Sequence, residues 1–221
     1  MLKKWLSYIV PIKIHQKKSA LSKNLEVTWA NGQLVLDSKN TNYSYGSLQR
    51  VLRKGLKKIG FNNIRNMQDV LILGVAGGSV IKTLTDEIKF TGKITGVEID
   101  PEVIKLANEY FGLHQIPNLK MVVGDAFDYV LRCPFQYDLI VIDVFQDTTM
   151  PNFLFEKFFM NKIGSLLKTN GYILFNTMIL HKNDNARNDQ YHAQFNDKPF
   201  KVTRLPRVES HNELILIHRY Q

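Results

Sequence analysis

The 221-residue chain has a single cysteine, Cys133. That excludes an internal disulfide and any cysteine-based metal cluster, and it fits a reducing cytoplasm. No stretch approaches the ~20 continuous apolar residues that a membrane-spanning helix needs. The run Lys3-Lys4-Trp5-Leu6-Ser7-Tyr8-Ile9-Val10 starts charged and turns apolar, but Pro11 and Lys13 interrupt it. No small-residue cleavage site follows, so a signal peptide is not expected, and the segment reads as a loosely ordered or surface-docked tail. His181, His192 and His211 lie among polar residues without metal-ligand spacing, so no metal is expected. Acids are scarce in one region. Residues 1–68 hold 13 Lys/Arg against Glu26 and Asp37, a balance of +11, whereas the remainder balances to −2. The overall +9 therefore sits on the N-terminal third. It is either a solvated basic face or a site for an anionic partner such as nucleic acid, a phospholipid surface or an acidic subunit.

What is present is ordinary in bulk, with 44% hydrophobic and 22% charged residues, and long enough for one substantial core. No internal repeat or low-complexity tract occurs. Leu25–Ala30 and Gln33–Asp37 flank Asn31-Gly32, a dipeptide that tolerates positive φ at both corners of a type I′ turn, so a β-hairpin is predicted. After Tyr45, Leu48, Val51, Leu52, Leu56 and Ile59 share one helical face. Arg50, Arg53, Lys54, Lys57 and Lys58 fall largely on the other, and Gly60 ends the helix. From residue 69 the pattern changes to apolar runs, Val70–Leu73, Ile94–Val97, Leu119–Val123, Leu139–Ile142 and Tyr172–Phe175, alternating with helical stretches near 79–89, 101–111, 126–132 and 152–168. Apolar runs without alternation suit parallel strands covered on both faces. A polar stretch, His181 to Asp197, precedes Phe200–Leu205 and Leu214–His218, which read as a closing antiparallel pair. The division expected is a basic segment 1–24, a hairpin plus amphipathic helix 25–68, and an α/β domain 69–221.

Chemistry concentrates at the strand ends. The first strand of the α/β region runs into Gly74-Val-Ala-Gly-Gly-Ser79 and then a helix, a turn whose glycines let backbone approach a ligand. Glu98 ends the next strand 20 residues beyond Gly78. An acid there can accept from a ribose diol. Asp100, before Pro101 and Glu102, is adequately explained as a helix cap. Val123-Gly-Asp125-Ala-Phe127 carries a third acid, able to accept from an adenine amino group while the Ala126 N–H pairs to the ring. Asp143 closes the strand Tyr137–Ile142. Each acid alone could be a cap or a solvated loop residue. Their order along one edge is specific, because ligands of open α/β sheets bind outside the carboxyl ends of the strands.

The segments LGVAGGS, VEID, GDAF and YDLIVID resemble class I S-adenosylmethionine-dependent methyltransferases, most closely the spermidine synthase branch, over about 69–177. The likeness extends more loosely to the hairpin and Asn42-Tyr-Ser-Tyr45. It implies an α/β fold: a doubly wound, mostly parallel, seven-stranded sheet of the methyltransferase-like Rossmann type with an N-terminal β-hairpin extension. It also implies that S-adenosylmethionine, or its decarboxylated form, is held by Gly74, Gly77 and Gly78 at its amino-acid end, by Glu98 at the ribose, and by Asp125 and Ala126 at the adenine. Asp143 would face the reacting group, with Asp147 as second candidate, and Tyr45 would line the pocket as a third active-site residue. A homodimer built on the hairpin is the implied assembly, and a small-molecule acceptor is expected ahead of a macromolecule.

Departures from that family narrow the activity. The glycine-loop acid of spermidine synthases is replaced by Gly77, the Gln-Glu after their tyrosine by Gly46-Ser47, and their Asp-Ser-Ser-Asp-Pro by Asp143-Val-Phe-Gln-Asp147. A polyamine is a flexible polycation whose binding needs several carboxylates at fixed spacing. With those thinned out, methyl transfer to an unidentified acceptor is favoured over aminopropyl transfer to putrescine, with Asp143 assisting deprotonation of the acceptor. The alternatives are an aminopropyltransferase with a rewired acceptor pocket and a non-catalytic binding module. A nicotinamide dehydrogenase is disfavoured because Gly74-x-Ala-x-Gly78 lacks G-x-G-x-x-G spacing.

Overall fold

A computed structural model describes residues 2–22, 24–38, 42–145, 149–195, 199–209 and 211–221. The N-terminal part is a four-stranded antiparallel sheet in the order β1 (Ile12–Lys17), β2 (Leu25–Ala30), β3 (Gln33–Ser38), β4 (Asn42–Ser44), preceded by a short helix α1 (Leu2–Leu6). Asn31 and Gly32 take φ of 48° and 73° at the β2–β3 turn, the geometry their side chains permit. The expected two-stranded hairpin is thus widened. The N-terminal basic segment contributes α1, within the run expected as a loosely ordered or surface-docked tail, and an edge strand paired to β2 from Ile12↔Trp29 to Lys17↔Leu25.

Helix α2 (Gly46–Ile59) buries Val51, Leu52, Leu56 and Ile59 against the main sheet, and Gly60 closes it with φ 101°. Its Gly55 lies so close to the sheet that a Cβ there would fall 2.4 Å from Leu174. The cationic face of α2 is largely engaged. Arg50 pairs with Glu209 at 2.9 Å, Arg53 forks onto Glu87, and Lys54 donates to the Val208 carbonyl.

After a short α3 (Phe61–Arg65), the main sheet comprises β5 (Asp69–Leu73), β6 (Lys93–Glu98), β7 (Leu119–Val123), β8 (Tyr137–Ile142), β9 (Leu167–Met178), β10 (Phe200–Glu209) and β11 (Asn212–Arg219). Their spatial order is β10-β11-β9-β8-β5-β6-β7. Strands β5 to β9 run parallel, and β11 and β10 close one edge antiparallel. Alternate residues of β5 serve two cores. Val70 and Ile72 pack with Val51, Leu56 and Ile81 of α2 and α4 (Ser79–Lys82), while Leu71 and Leu73 pack with Phe159 and Ile163 of α7 (Lys157–Ser165). Burial on both faces is why these strands read as continuous apolar runs. Helices α5 (Pro101–Phe111) and α6 (Ala126–Arg132) follow β6 and β7.

The polar stretch after β9, to which the sequence pattern assigns no regular element, contains a helix, α8 (Lys182–Gln194). A reciprocal cap starts it: the His181 side chain accepts from the Asp184 N–H, and Asp184 accepts from the His181 N–H. Tyr191 pins it to Phe155, Phe175 and Phe195. Among the described residues, no helix is long and apolar enough to cross a membrane. No group of three or more His, Cys, Asp or Glu among them could hold a metal ion.

Candidate active site

The chain runs outward from β5 to β6 and β7, then returns to β8 on the other side of β5, which puts the switch point of the sheet between β5 and β8. At the carboxyl ends of these strands lies a cavity of about 600 Å³, lined by Gly74 after β5, Glu98 of β6, Gly124, Asp125 and Ala126 after β7, Asp143 after β8, and Asn176 of β9. Because β11 is antiparallel to β9, its first residue, Asn212, comes to the same edge.

The turn after β5 is built for close approach. Gly74 has φ 82°, and a Cβ on it would fall 2.2 Å from the Asp143 carbonyl oxygen. Ala76 adopts φ 48° without a glycine's freedom, a strained conformation of the kind that gathers at functional sites. Glu98 compensates: its Oε2 accepts from the Val75 and Ala76 N–H groups at 3.1 and 3.0 Å, and its Oε1 from the Asp100 N–H at 3.1 Å. Burial pushes the Glu98 carboxyl above its ordinary range, and these three N–H groups oppose that. A carboxylate offers about four acceptor positions, so roughly one, on Oε1, is left for a ligand. Substituting Gly74→Ala should cost about 1–3 kcal/mol and displace the Asp143 tip, read as a lower urea midpoint.

Asp125 and Asp100 cap α6 and α5, accepting from the Phe127 N–H at 2.6 Å and the Glu102 N–H at 2.9 Å. Beside Asp125, a Cβ on Gly124 would meet nothing within 4 Å, which leaves an open cradle along the Gly124–Ala126 backbone. The side of the cavity beyond Gly74, at the ends of β8 and β9, is different. Asp143 Oδ1 accepts from Asn176 Nδ2 at 2.9 Å, and Asn176 Oδ1 accepts from Asn212 Nδ2 at 3.0 Å. Burial pushes Asp143 up to about 7; Asn176 opposes this and the nearby Glu98 charge reinforces it. Phe145, Phe153 and Met178 supply apolar surface on this side.

The structure therefore brings together Gly74, Glu98, Asp125, Ala126 and Asp143. Gly77 and Gly78 shape the turn but face away from the cavity: Gly77 packs on Ser44 and Leu36, and Gly78, with φ 80°, on Leu113. Ser44 Oγ accepts from the Ser79 N–H, so β4 is tied directly to the glycine turn. Tyr45 is outside the cavity wall. Its ring stacks on Phe111 of α5 at 4.8 Å, among Leu25, Val27 and Leu36, and burial raises its hydroxyl pKa; the following Ser47 and Leu48 reach the cavity instead. Asp147 lies outside the described residues. Asn176 and Asn212 were not anticipated, although the polar pair Asn176-Thr177 ending an apolar strand run is a signal of the same kind as Glu98 and Asp143.

The cavity fits a nucleoside-bearing donor. Its volume is in the small-molecule range, with backbone that can approach closely at Gly74 and Gly124 and carboxylates at the strand ends. Residues 50–210 match the family described as Spermine/spermidine synthase domain. The polyamine aminopropyltransferase of Vibrio vulnificus is 31% identical over 150 residues, covering 66% of this chain and 49% of that protein. The eEF1A lysine and N-terminal methyltransferase of Mus musculus is 30% identical over 117 residues, covering 48% of this chain and 17% of that protein. The chain thus spans about half the length, or less, of these curated relatives. Among solved structures, spermidine synthase from Thermotoga maritima superposes with a TM-score of 0.71 at 16% identity, covering 95% of this chain and 73% of that one. Human methyltransferase-like protein 13, solved with SAH, superposes with a TM-score of 0.66 at 24% identity, covering 80% and 83%. At these identities the structural likeness shows a shared methyltransferase-like Rossmann fold.

Proposed function

The chain belongs to the spermine/spermidine synthase domain family, and we propose that it is an S-adenosylmethionine-dependent transferase that delivers a methyl group to an amine nitrogen. The observation that carries this reading is one cavity with two unlike parts: a backbone cradle at Gly74, Glu98 and Gly124–Ala126, and, beginning next to Gly74, Asp143 held by an amide pair. Gly74 and the Gly124–Ala126 backbone would hold the donor, with Glu98 supplying its remaining acceptor position to the ribose. The donor supplies an electrophilic carbon, whose bond to sulfur breaks as the bond to nitrogen forms, the electron pair leaving on a neutral thioether. Asp143 would take the proton from the incoming ammonium so that the nitrogen lone pair is free to attack, as its pKa of about 7 suits a general base at neutral pH.

Methyl transfer is favoured over aminopropyl transfer by how the carboxylates are used. Among the described cavity residues, Glu98, Asp100 and Asp125 already accept backbone N–H groups, and Asp143 alone faces the amide wall. One carboxylate suits a single ammonium better than a polycation. Aminopropyl transfer is the second reading, favoured by the aminopropyltransferase relative.

The test is calorimetric titration of the chain with S-adenosylmethionine and with decarboxylated S-adenosylmethionine, followed by detection of thioether release with amine acceptors. Binding of the carboxylated donor with formation of its thioether product supports methyl transfer. Preference for the decarboxylated donor and turnover with putrescine would establish the second reading. A folded protein that binds neither is a non-catalytic module.

A further inference from the structure

The cationic N-terminal third does not act as one surface. On α2, Arg50, Arg53 and Lys54 are engaged with Glu209, Glu87 and the Val208 carbonyl, and Lys57 and Lys58 are exposed in its last turn. Of the N-terminal segment, Lys13 pairs with Glu26 and Lys17 with Glu102. Lys3, Lys4 and Lys18 carry no ion pair among the described residues, and residues 2–25 contain no acid.

Lys3 and Lys4 flank an apolar patch, Lys4 lying over the Trp29 ring, whereas Lys18 follows the other end of β1, beyond the Lys17↔Leu25 pair. Leu2, Trp5 and Ile9 are 73%, 71% and 86% exposed, and Leu6, Tyr8 and Val10 are exposed beside them. The patch is held out by a built clamp. The backbone carbonyl of Ser7 accepts from the Asn31 N–H at 3.0 Å, and its buried hydroxyl accepts from the Gly32 N–H at 3.0 Å. The Tyr8 ring occupies the space where a Cβ on Gly32 would sit, its hydroxyl oxygen 2.2 Å from that point. The hairpin turn thus fixes α1 at the β2–β3 turn end of the N-terminal sheet with its apolar side chains turned to solvent.

From this arrangement we infer that residues 2–10, Lys3 and Lys4 among them, dock on an anionic phospholipid surface, the apolar side chains entering the headgroup boundary and the two lysines facing lipid charge. Trp5 and Tyr8 are the side chains best suited to that boundary, with an apolar ring body and a polar handle. No described helix is long and apolar enough to cross a bilayer, and the inferred contact is interfacial. A second copy of this chain is a poorer occupant, because two-fold contact through an acid-free patch sets Lys3 and Lys4 against their own counterparts. Nucleic acid would leave the six apolar side chains without a partner.

The test is sedimentation of the full chain with phosphatidylcholine vesicles, with and without phosphatidylserine, reading Trp5 fluorescence in a Trp29→Phe background. The expected result is binding to the anionic vesicles only, weakened by salt, with a blue shift of Trp5 emission. Trp5→Ala with Ile9→Ala, and separately Lys3→Glu with Lys4→Glu, should each reduce partitioning by roughly tenfold or more. All four residues are solvent-facing, and unchanged circular dichroism establishes that the variants fold. The inference is overturned if anionic vesicles do not sediment the protein at low salt, or if binding persists without a Trp5 shift and is indifferent to the apolar substitutions. It is equally overturned if the apolar substitutions dissolve a dimer that itself does not bind vesicles.

Discussion

Asp143→Asn is expected to lower the turnover number about 10²–10⁴-fold, the usual contribution of a positioned general base, while the affinity for S-adenosylmethionine stays within about threefold. The substitution keeps the shape of the side chain and the oxygen that accepts from Asn176 at 2.9 Å, but removes the proton-accepting charge. Single-turnover rates and calorimetric affinities measured on the same sample separate the two effects. The pH profile gives a second readout. With Asp143 near 7, wild-type activity should rise through neutral pH as the carboxyl ionises. Asn176 donates to the ionised form, so Asn176→Ala raises the Asp143 pKa further and moves the rising limb to higher pH. Asn212→Ala, which frees the Asn176 amide to rotate, should move it in the same direction by less.

The fold should report the same carboxyl with the opposite sign. An aspartate with an ordinary value of 3.8 in the unfolded chain and about 7 when folded binds more protons folded than unfolded between those limits. Stability therefore falls as pH rises from about 4 to about 7. Asp143→Asn lacks that decline and should be at least as stable as the wild type at pH 8 by urea melting. An inactive variant that is also less stable would mean that Asp143 holds the strand tip in place, and the general-base assignment would fail.

How far such a site can be read from sequence depends on the distance over which its parts are specified. The inner parallel strands were legible because burial on both faces leaves near-continuous apolar runs, and the β2–β3 turn because Asn31-Gly32 encodes its own geometry. Strand β1 was not, since Ile12-Lys-Ile-His-Gln-Lys17 is an edge with burial on part of one face and no apolar run. Helix α8 was hidden for a related reason: Asn188 and Tyr191 are its only fully buried residues, so its periodicity is faint and its start rests on a side-chain cap. Glu98 and Asp143 stood out as acids ending apolar strands. What sequence could not reveal was the sharing of their hydrogen bonds. The Asn212–Asn176 contact spans 36 residues, and Glu98 reaches back across 22 and 23 residues to the glycine turn. Tyr45 is the reverse case, a local motif whose ring is drawn onto Phe111 by the packing of the N-terminal sheet against α5.

That backward reach makes Glu98 the position with the second large expected effect. Glu98→Ala removes the acceptor for three backbone N–H groups at once and leaves Ala76 in its left-handed conformation without the bond that holds it there. Hydrogen bonds to a charged group contribute about 1.5–3 kcal/mol each, so donor affinity should fall on the order of 100-fold, or about 2.7 kcal/mol, even if the ribose contact itself is modest. Glu98→Gln separates the two contributions. The amide oxygen can keep one face of the turn, but its NH₂ would meet an N–H donor, so the turn is only half restored and affinity should be intermediate. The wild type should show a matching pH dependence. Because burial holds the Glu98 carboxyl above its ordinary range, acidification protonates it earlier than a solvent-exposed glutamate, weakening its acceptance from the turn. Donor binding should therefore decline as pH falls toward and through the ordinary glutamate range, and it should do so less in Glu98→Gln, whose side chain does not titrate. Equal pH dependence in the two proteins, or unchanged affinity in Glu98→Ala, would place the donor elsewhere than against this turn.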